Sequence, residues 1–380
     1  MMNRRVFAIM LAVALLAAVS APALADTIKI GGLAPLTGAV AQYGLAVQKG
    51  VDLYVEQLNA AGGINGDTVE MVWYDEKGDE VEAINAFNLL VNNDKVVGVI
   101  GDVTSRPTLA VGERVREIGI PMITASATAY DVTTDNPSIF RSCFLDPFQA
   151  SIMANFAKDA LGAEKVAVIY DIADDYSLGL AESFRDQAIK NGQEVVAYES
   201  GTATDVDFSA QLTNIASKGP QALFVAYYYG PAALIVQQAA KPEIGLDVYF
   251  LGADGIAGIE NTISDTALLE NKFFYSDHFA SDSDDPSVQG FIKAYEEKYG
   301  EPYQMAFNAT GYDAVLLLCE AIKAAGSTDY AAVTAALKAS DNVQGVTSAY
   351  SFDDHNDPIK SAYIMTFVDG KQSFKQKQDP

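Results

Sequence analysis

Thr27-Ile28-Lys29-Ile30-Gly31-Gly32 sets the pattern on which the chain is built: a short β-rich run, a loop, then a longer amphipathic segment. In the first such segment, about Gly44 to Ala61, Val47, Val51, Val55 and Leu58 recur at spacings of four, four and three and fall on one stripe of a helix. The stripe stops at Ala61-Gly62-Gly63, where glycine supplies the left-handed conformation that ends a helix. Working outward, β-rich runs return at Val69 to Tyr74, Val96 to Gly101 and Pro121-Met122-Ile123, each followed by a loop and a helix. A second series runs through Lys165 to Tyr170, Glu194 to Tyr198, Ala222 to Ala226 and Val248 to Leu251. Its helices lie near Ser177 to Asn191, Ser209 to Lys218 and Ala232 to Ala240. Alternation of this kind predicts an α/β protein with parallel sheets flanked by helices. The 380 residues exceed one ordinary core and suit two lobes of roughly 150 residues each.

Ser138-Ile139-Phe140-Arg141-Ser142 joins the two series, and Asp146-Pro147 then opens a helix, proline being suited to a first turn. This is the expected first crossing between lobes. Past Lys272 the pattern turns helical, at Val288 to Tyr299, Ala306 to Ala325 and Tyr330 to Ala339. If these helices return to the first lobe, the chain crosses again near Tyr275 to Phe279 and a third time near Ile359 to Phe367. The division expected is residues 26–142 with 279–360 in lobe one, and 143–278 with 361–380 in lobe two. No repeat of solenoid period is visible.

Residues 1–25 read as a secretory signal: Arg4-Arg5, an apolar stretch from Val6 to Val19, and Ala23-Leu24-Ala25 as an A-x-A cleavage site. The apolar run is about 14 residues, short of the roughly 18 a membrane span needs. Asp26 is the expected mature N-terminus, and since it is not a cysteine no lipid anchor follows the signal, which points to a protein free in a Gram-negative periplasm. There are 25 basic and 50 acidic residues, and removing Arg4 and Arg5 takes the net charge from −25 to −27. Nucleic acid and anionic lipid are poor partners for such a surface. Cys143 and Cys319 lie in a compartment that permits a bridge, which their spacing neither supports nor excludes; two unpaired, buried cysteines are the expectation.

Catalytic constellations are missing. The two histidines, His278 and His355, stand in Asp-containing loops outside any H-E-x-x-H pattern and are read as surface residues. No C-x-x-C, G-x-S-x-G or P-loop motif is present, so neither an enzyme nor a cofactor is expected. Asp282, Asp284 and Asp285 lack the glycine and terminal Glu of a calcium loop and read as a solvated helix start before Pro286, so no metal is expected.

The first strand continues into Leu33-Ala34-Pro35-Leu36-Thr37-Gly38 and Gln42-Tyr43-Gly44, and the first helix ends in Asn59-Ala60-Ala61-Gly62-Gly63-Ile64-Asn65-Gly66. Val99-Ile100-Gly101, Ile120-Pro121-Met122-Ile123, Ser126-Ala127-Thr128, Asp207-Phe208-Ser209 and Leu251-Gly252-Ala253-Asp254-Gly255 follow in order. Any one of these is a weak signal; their order and spacing over nearly the whole mature chain are specific. The sequence resembles the periplasmic leucine/isoleucine/valine-binding protein family, the substrate-binding proteins of branched-chain amino acid ABC transporters. The resemblance implies the type I periplasmic binding fold, with two Rossmann-like lobes, a three-crossing hinge and the ligand in the interlobe cleft. It also implies a monomer that delivers an amino acid to an ABC permease in the inner membrane.

Residue by residue, the resemblance gives Ser105 a carboxylate, on the physical ground that Pro107 suits the first turn of a helix whose free N–H groups favour an anion; a simple helix cap is the alternative. Thr104 belongs to the same loop. Ser126, Ala127 and Thr128 are implied to add a hydroxyl, an amide and a carbonyl to the head group, and Asp254 to meet the α-ammonium. Alternatively, Asp254 only forms a turn before Gly255. Tyr43, Val103, Tyr176, Tyr229 and Phe307 are implied to line the side-chain pocket, although Tyr229 and Phe307 also fit as packing residues. Arg106 and Asp102 depart from the family pattern: Arg106 either adds a handle for an acidic ligand or pairs with Asp102 at the surface, the preferred reading. A second class of function is a soluble sensor of the same fold for an amide, urea or aromatic compound. A membrane-bound sensor predicts a transmembrane segment and an output domain, and neither is visible.

Overall fold

The computed structural model describes residues 26–380, so the expected signal lies outside it. β1 (Thr27–Ala34) leads into α1 (Ala41–Ala60), which starts one turn earlier than its valine stripe indicates. β1 lies parallel to β2 (Thr68–Asp75) on one side and β3 (Val99–Ile100) on the other. β4 (Met122–Thr124) and β5 (Ile139–Arg141) complete a five-stranded parallel sheet in the order β2-β1-β3-β4-β5. The connections carry α2 (Glu80–Leu89), N-capped by Asp79, and α3 (Ser105–Ile118).

The chain leaves this sheet after β5 and enters α4 (Asp146–Asp159). A second sheet follows from β6 (Lys165–Asp171), β7 (Glu194–Gly201), β8 (Ala222–Ala226), β9 (Tyr249–Gly252) and β10 (Phe273–Asp277), with α5 (Asp175–Lys190), α6 (Ser209–Lys218) and α7 (Tyr229–Ala239) between them. Its parallel part runs β7-β6-β8-β9-β10. Numbered within its own half, that is the same 2-1-3-4-5 order as the first sheet. The two halves are therefore doubly wound units of one topology, each with a switch point where successive connections leave to opposite sides.

After β10 the chain returns to the first half through α8 (Pro286–Tyr299), α9 (Ala306–Ala325) and α10 (Tyr330–Lys338). Asp285 caps α8 by accepting from the Ser287 N–H, which is the helix start expected of that acidic cluster. A small hairpin, β11 (Val343–Gln344) with β12 (Ala349–Tyr350), precedes the third crossing. β13 (Ala362–Val368) and β14 (Lys371–Gln378) then add antiparallel strands at the β10 edge, a hairpin that the sequence pattern did not reveal.

The first and third crossings are bound to one another by buried cations. Arg141, fully buried, places Nε 2.6 Å from Asp357 Oδ1 and donates to Thr133 Oγ1 at 2.6 Å. Lys360 donates to Ser142 O at 2.9 Å and Thr347 Oγ1 at 2.7 Å, beside Tyr350, whose hydroxyl lies 2.9 Å from Asp313 Oδ2. Burial pushes the Lys360 ammonium down to about 8. Cys143 and Cys319 are both buried and unbridged.

α1 and α9 are in direct backbone contact at Gly50, where a Cβ would lie 1.8 Å from Asn308 O. In an unpacked helix Gly→Ala gains about 0.8–1 kcal/mol. Here the added carbon forces two helices apart, so Gly50→Ala should instead destabilise the first lobe by about 1–3 kcal/mol, measured as a lowered denaturation midpoint.

Candidate functional site

The switch points of the two sheets face one another, and the residues that follow the flanking strands meet between them. From the first half come Tyr43 on α1, Val103 and Thr104 after β3, and Ser126 after β4; α9 adds Phe307. From the second half come Tyr176 after β6, Tyr228 after β8, and Asp254 with Gly255 after β9. These nine residues line a closed-down cleft with room for about one water. The lobes are drawn shut over it. Tyr43 OH donates to Gly255 O at 2.6 Å across the cleft, Tyr229 OH to Ala39 O at 2.7 Å, and Gln42 Nε2 to Thr262 Oγ1 at 3.3 Å.

The wall is aromatic. Tyr176 and Tyr228 stack with centroids 4.9 Å apart and planes at 3°, while Tyr43 meets Tyr228, Tyr229 and Phe307 edge-on at 5.7, 5.0 and 5.0 Å. Gly255 is required by this packing, because a Cβ there would lie 2.6 Å from the Tyr176 hydroxyl that accepts from the Gly255 N–H.

The two polar ends of the cavity belong to different halves. At one end Thr104 holds the N-cap position of α3 with extended backbone, yet its hydroxyl makes no capping bond. The Ser105 and Arg106 N–H groups behind it are among those a helix start leaves without an intrahelical acceptor. Ser105 Oγ accepts from Ala129 N at 3.2 Å, and Thr128 Oγ1 is buried with no partner. At the other end Asp254, 1% exposed, takes two donors on Oδ1, Gln149 Nε2 at 3.0 Å and Tyr176 OH at 2.9 Å, and its Oδ2 lies 3.0 Å from His278 Nε2. A carboxylate oxygen accepts two bonds, so Oδ2 retains capacity for one more donor.

Of the eleven residues singled out from sequence, the structure brings Tyr43, Val103, Thr104, Ser126, Tyr176, Asp254 and Phe307 together on the cavity wall. Ser105 and Thr128 lie just behind it, and Tyr229 packs on Tyr43 while Tyr228 faces the cavity. Ala127 is committed elsewhere: its N–H donates to Thr124 Oγ1 and its carbonyl accepts from Arg141.

Two expectations are corrected. His278 is not a surface residue; it continues β10 into the second crossing, is fully buried and touches Asp254, whereas His355 is exposed as expected. Arg106 does not pair with Asp102. It spans the cleft mouth, pairing with Glu80 and donating to Ala173 O of the second half at 2.5 Å. Asp102 is instead fully buried beside Glu76; burial pushes both carboxyls up, Glu76 to about 7, and the neighbouring Glu76 charge raises Asp102 further. Among the described residues no group of three or more His, Cys, Asp or Glu is placed to hold a metal ion, and no helix is long and apolar enough to cross a membrane.

The periplasmic binding protein family profile matches residues 27–372. The chain belongs to the periplasmic binding protein family. This periplasmic binding protein is 32% identical over 347 residues to a Leu/Ile/Val-binding protein homolog of Brucella melitensis, covering 90% of this chain and 92% of the relative. It is also 32% identical over 341 residues to the leucine-, isoleucine-, valine-, threonine- and alanine-binding protein of Pseudomonas aeruginosa, covering 88% and 87%. Among solved structures, a leucine-binding protein of Thermotoga maritima superposes with a TM-score of 0.87 at 31% identity, over 93% of this chain and 99% of that one. The branched-chain amino acid substrate-binding protein of Streptococcus pneumoniae, in complex with isoleucine, gives 0.86 at 34% over the same shares. A solute-binding protein of Rhodopseudomonas palustris in complex with benzoate gives 0.82 at 25%, over 93% and 97%. The family is one of solute receptors rather than enzymes, and the fold is the type I periplasmic binding fold.

Raised carboxyls hold protons in the folded state that the unfolded chain has lost, so the Glu76 and Asp102 pair favours folding below about pH 4 and this is lost as pH rises through about 7. Asp102→Asn keeps the acceptor for the Val103 N–H and removes one charge. Its stability should match the parent near pH 4 and exceed it by roughly 1–3 kcal/mol at pH 8, read from unfolding midpoints at the two pH values.

Proposed function

We propose that this receptor captures an aliphatic amino acid, with branched-chain side chains favoured, by closing its lobes and presents the closed form to an ABC permease in the inner membrane. The observation that carries this reading is the polarity of the cavity. Hydroxyls and helix-start N–H groups face in from the first lobe, a carboxylate from the second, and an aromatic wall lies between. A zwitterion satisfies both ends at once, with its carboxylate toward Thr104, Ser105, Ser126 and Thr128, and its ammonium toward Asp254. Its apolar substituent meets Val103, Tyr43, Tyr176, Tyr228 and Phe307. Only a ligand that reaches both ends draws the lobes together, so binding reports itself as closure.

The remaining parts of the proposal follow from the sequence. Residues 1–25 are the cleaved signal, and the mature protein is free in the periplasm as a monomer. Lobe one comprises 26–142 with 279–360, and lobe two 143–278 with 361–380. The names of the relatives support the amino acid, and the benzoate complex of one structural neighbour defines the competing chemistry.

A thermal-shift screen of ligand-stripped protein from Asp26 to Pro380 tests the ligand class. L-leucine, L-isoleucine or L-valine at a hundredfold over its dissociation constant should add about 2.7 kcal/mol of stability. A response to benzoate or an amide with silence from every amino acid would reject the proposal. Within it, Asp254→Ala should weaken the amino acid by about one to two orders of magnitude in calorimetric titration, and unchanged affinity would remove Asp254 from the contact.

A further inference from the structure

His278 lies where the ligand site meets the hinge. It stands one residue beyond β10 in the second crossing, fully buried, and its ring packs on Phe144, two residues past the first crossing, with centroids 3.8 Å apart and on Phe307 of the cavity wall at 6.1 Å. Nε2 is 3.0 Å from Asp254 Oδ2, and among the described residues no other side chain bonds that oxygen. On the far side of the ring, Nδ1 is buried without a partner.

We infer that His278 is a positioning residue for ligand selection: as a neutral imidazole protonated on Nε2, it fixes the Asp254 carboxylate toward the ligand's cation and links that carboxylate to the second hinge crossing. The tautomer follows from the contacts. Asp254 is the acceptor of the network, so the proton of the shared bond belongs on Nε2, and Nδ1, with no acceptor nearby, is left as the lone-pair nitrogen. A second proton would leave a buried Nδ1–H unsatisfied and would place a fixed cation on the carboxylate intended for the ligand's own. The groups facing the ring agree with a neutral state. Asp254 favours the charge, Lys360 of the third crossing opposes it, Asp277 beside it is itself held up by burial, and Phe144 and Phe307 cover the ring. Burial outweighs Asp254 and pushes the imidazole below its usual range.

Gln149 completes the arrangement from α4. It donates to Asp254 Oδ1 and Asp146 Oδ1 and accepts from the Asp254 N–H and Ser276 Oγ, so both backbone and carboxylate of Asp254 are held. Oδ1 is thus supplied by two helices of the second lobe, while among the described residues His278 is the one side chain on Oδ2. Removing the imidazole frees the oxygen that retains capacity for the ligand, whereas Gln149 and Tyr176 still hold the other.

This inference rests on the proposed contact between Asp254 and an ammonium, and the test separates the two. L-leucine affinity is measured by calorimetry for the parent, His278→Gln, His278→Leu and Asp254→Asn, with imidazole nitrogen NMR of the parent from pH 6 to 8. Expected are a neutral Nε2–H imidazole across that range, affinity within a few-fold of the parent in H278Q, and a loss of tenfold or more in both H278L and D254N. Rescue by Gln separates donor chemistry from volume, which packing alone would not. Parent affinity in H278L with loss in D254N overturns the role of His278 and leaves the ligand contact standing. Parent affinity in D254N overturns the contact and the role with it. If H278L does not fold, an Nδ1–H tautomer in the parent, or loss in H278Q equal to that in D254N, overturns the inference.

Discussion

Asp254 can be buried between the lobes only because three different parts of the chain supply it with donors. A carboxyl taken out of water without partners costs several kcal/mol, and here Tyr176 comes from α5, Gln149 from α4 and His278 from the second crossing. Those three side chains are 78, 105 and 24 residues from Asp254 in sequence. The second sheet must therefore be complete, and both early crossings in place, before the ligand site exists. Placing the acidic end of the site on that framework, and the hydroxyls and helix start on the other, makes the distance between them a property of lobe orientation.

The same logic governs the hinge. Arg141 ends β5 as the chain leaves the first sheet and Lys360 precedes β13 as it rejoins the second; Arg141 is buried against Asp357 and Thr133, and Lys360 against the Ser142 carbonyl and the Thr347 hydroxyl. Buried, hydrogen-bonded cations of this kind specify one geometry more than they add stability. They tie the first and third crossings together, while the bonds that close the cleft, from Tyr43, Tyr229, Gln42 and Arg106, lie away from them and can break when the lobes part.

Much of this was legible in the sequence because the β and α periodicities differ and alternate cleanly. α6 and α9 fall on the residues the pattern indicates, Ser209–Lys218 and Ala306–Ala325, since each has a sharp apolar face and a glycine beyond its end. The order of motifs gave the family and the fold. What escaped is what depends on a boundary or on long-range contact. α7 begins at Tyr229, not near Ala232, so in Tyr227-Tyr228-Tyr229 the N-cap residue Tyr228 faces the cavity and its neighbour packs behind it. His278 looked like a polar loop residue because its neighbours are Asp277 and Phe279, and nothing local shows that β10 runs straight into the interior. Asp102 likewise reads as a partner for nearby Arg106, whereas Glu76, remote in sequence, meets it only because β1 pairs with both β2 and β3.

The central claim is that a zwitterion closes the lobes by satisfying both ends of one cavity. It is tested most directly by a distance between α3 and α5, which face each other across the cleft mouth. Cys143 and Cys319 are buried, so cysteines placed at the exposed positions Glu113 and Glu182 can carry spin labels selectively. Saturating L-leucine should convert a broad distribution in ligand-stripped protein into one shorter, narrow distance, and D254N should abolish the conversion. A distribution that L-leucine leaves unchanged, or one already short and narrow without it, would contradict the account.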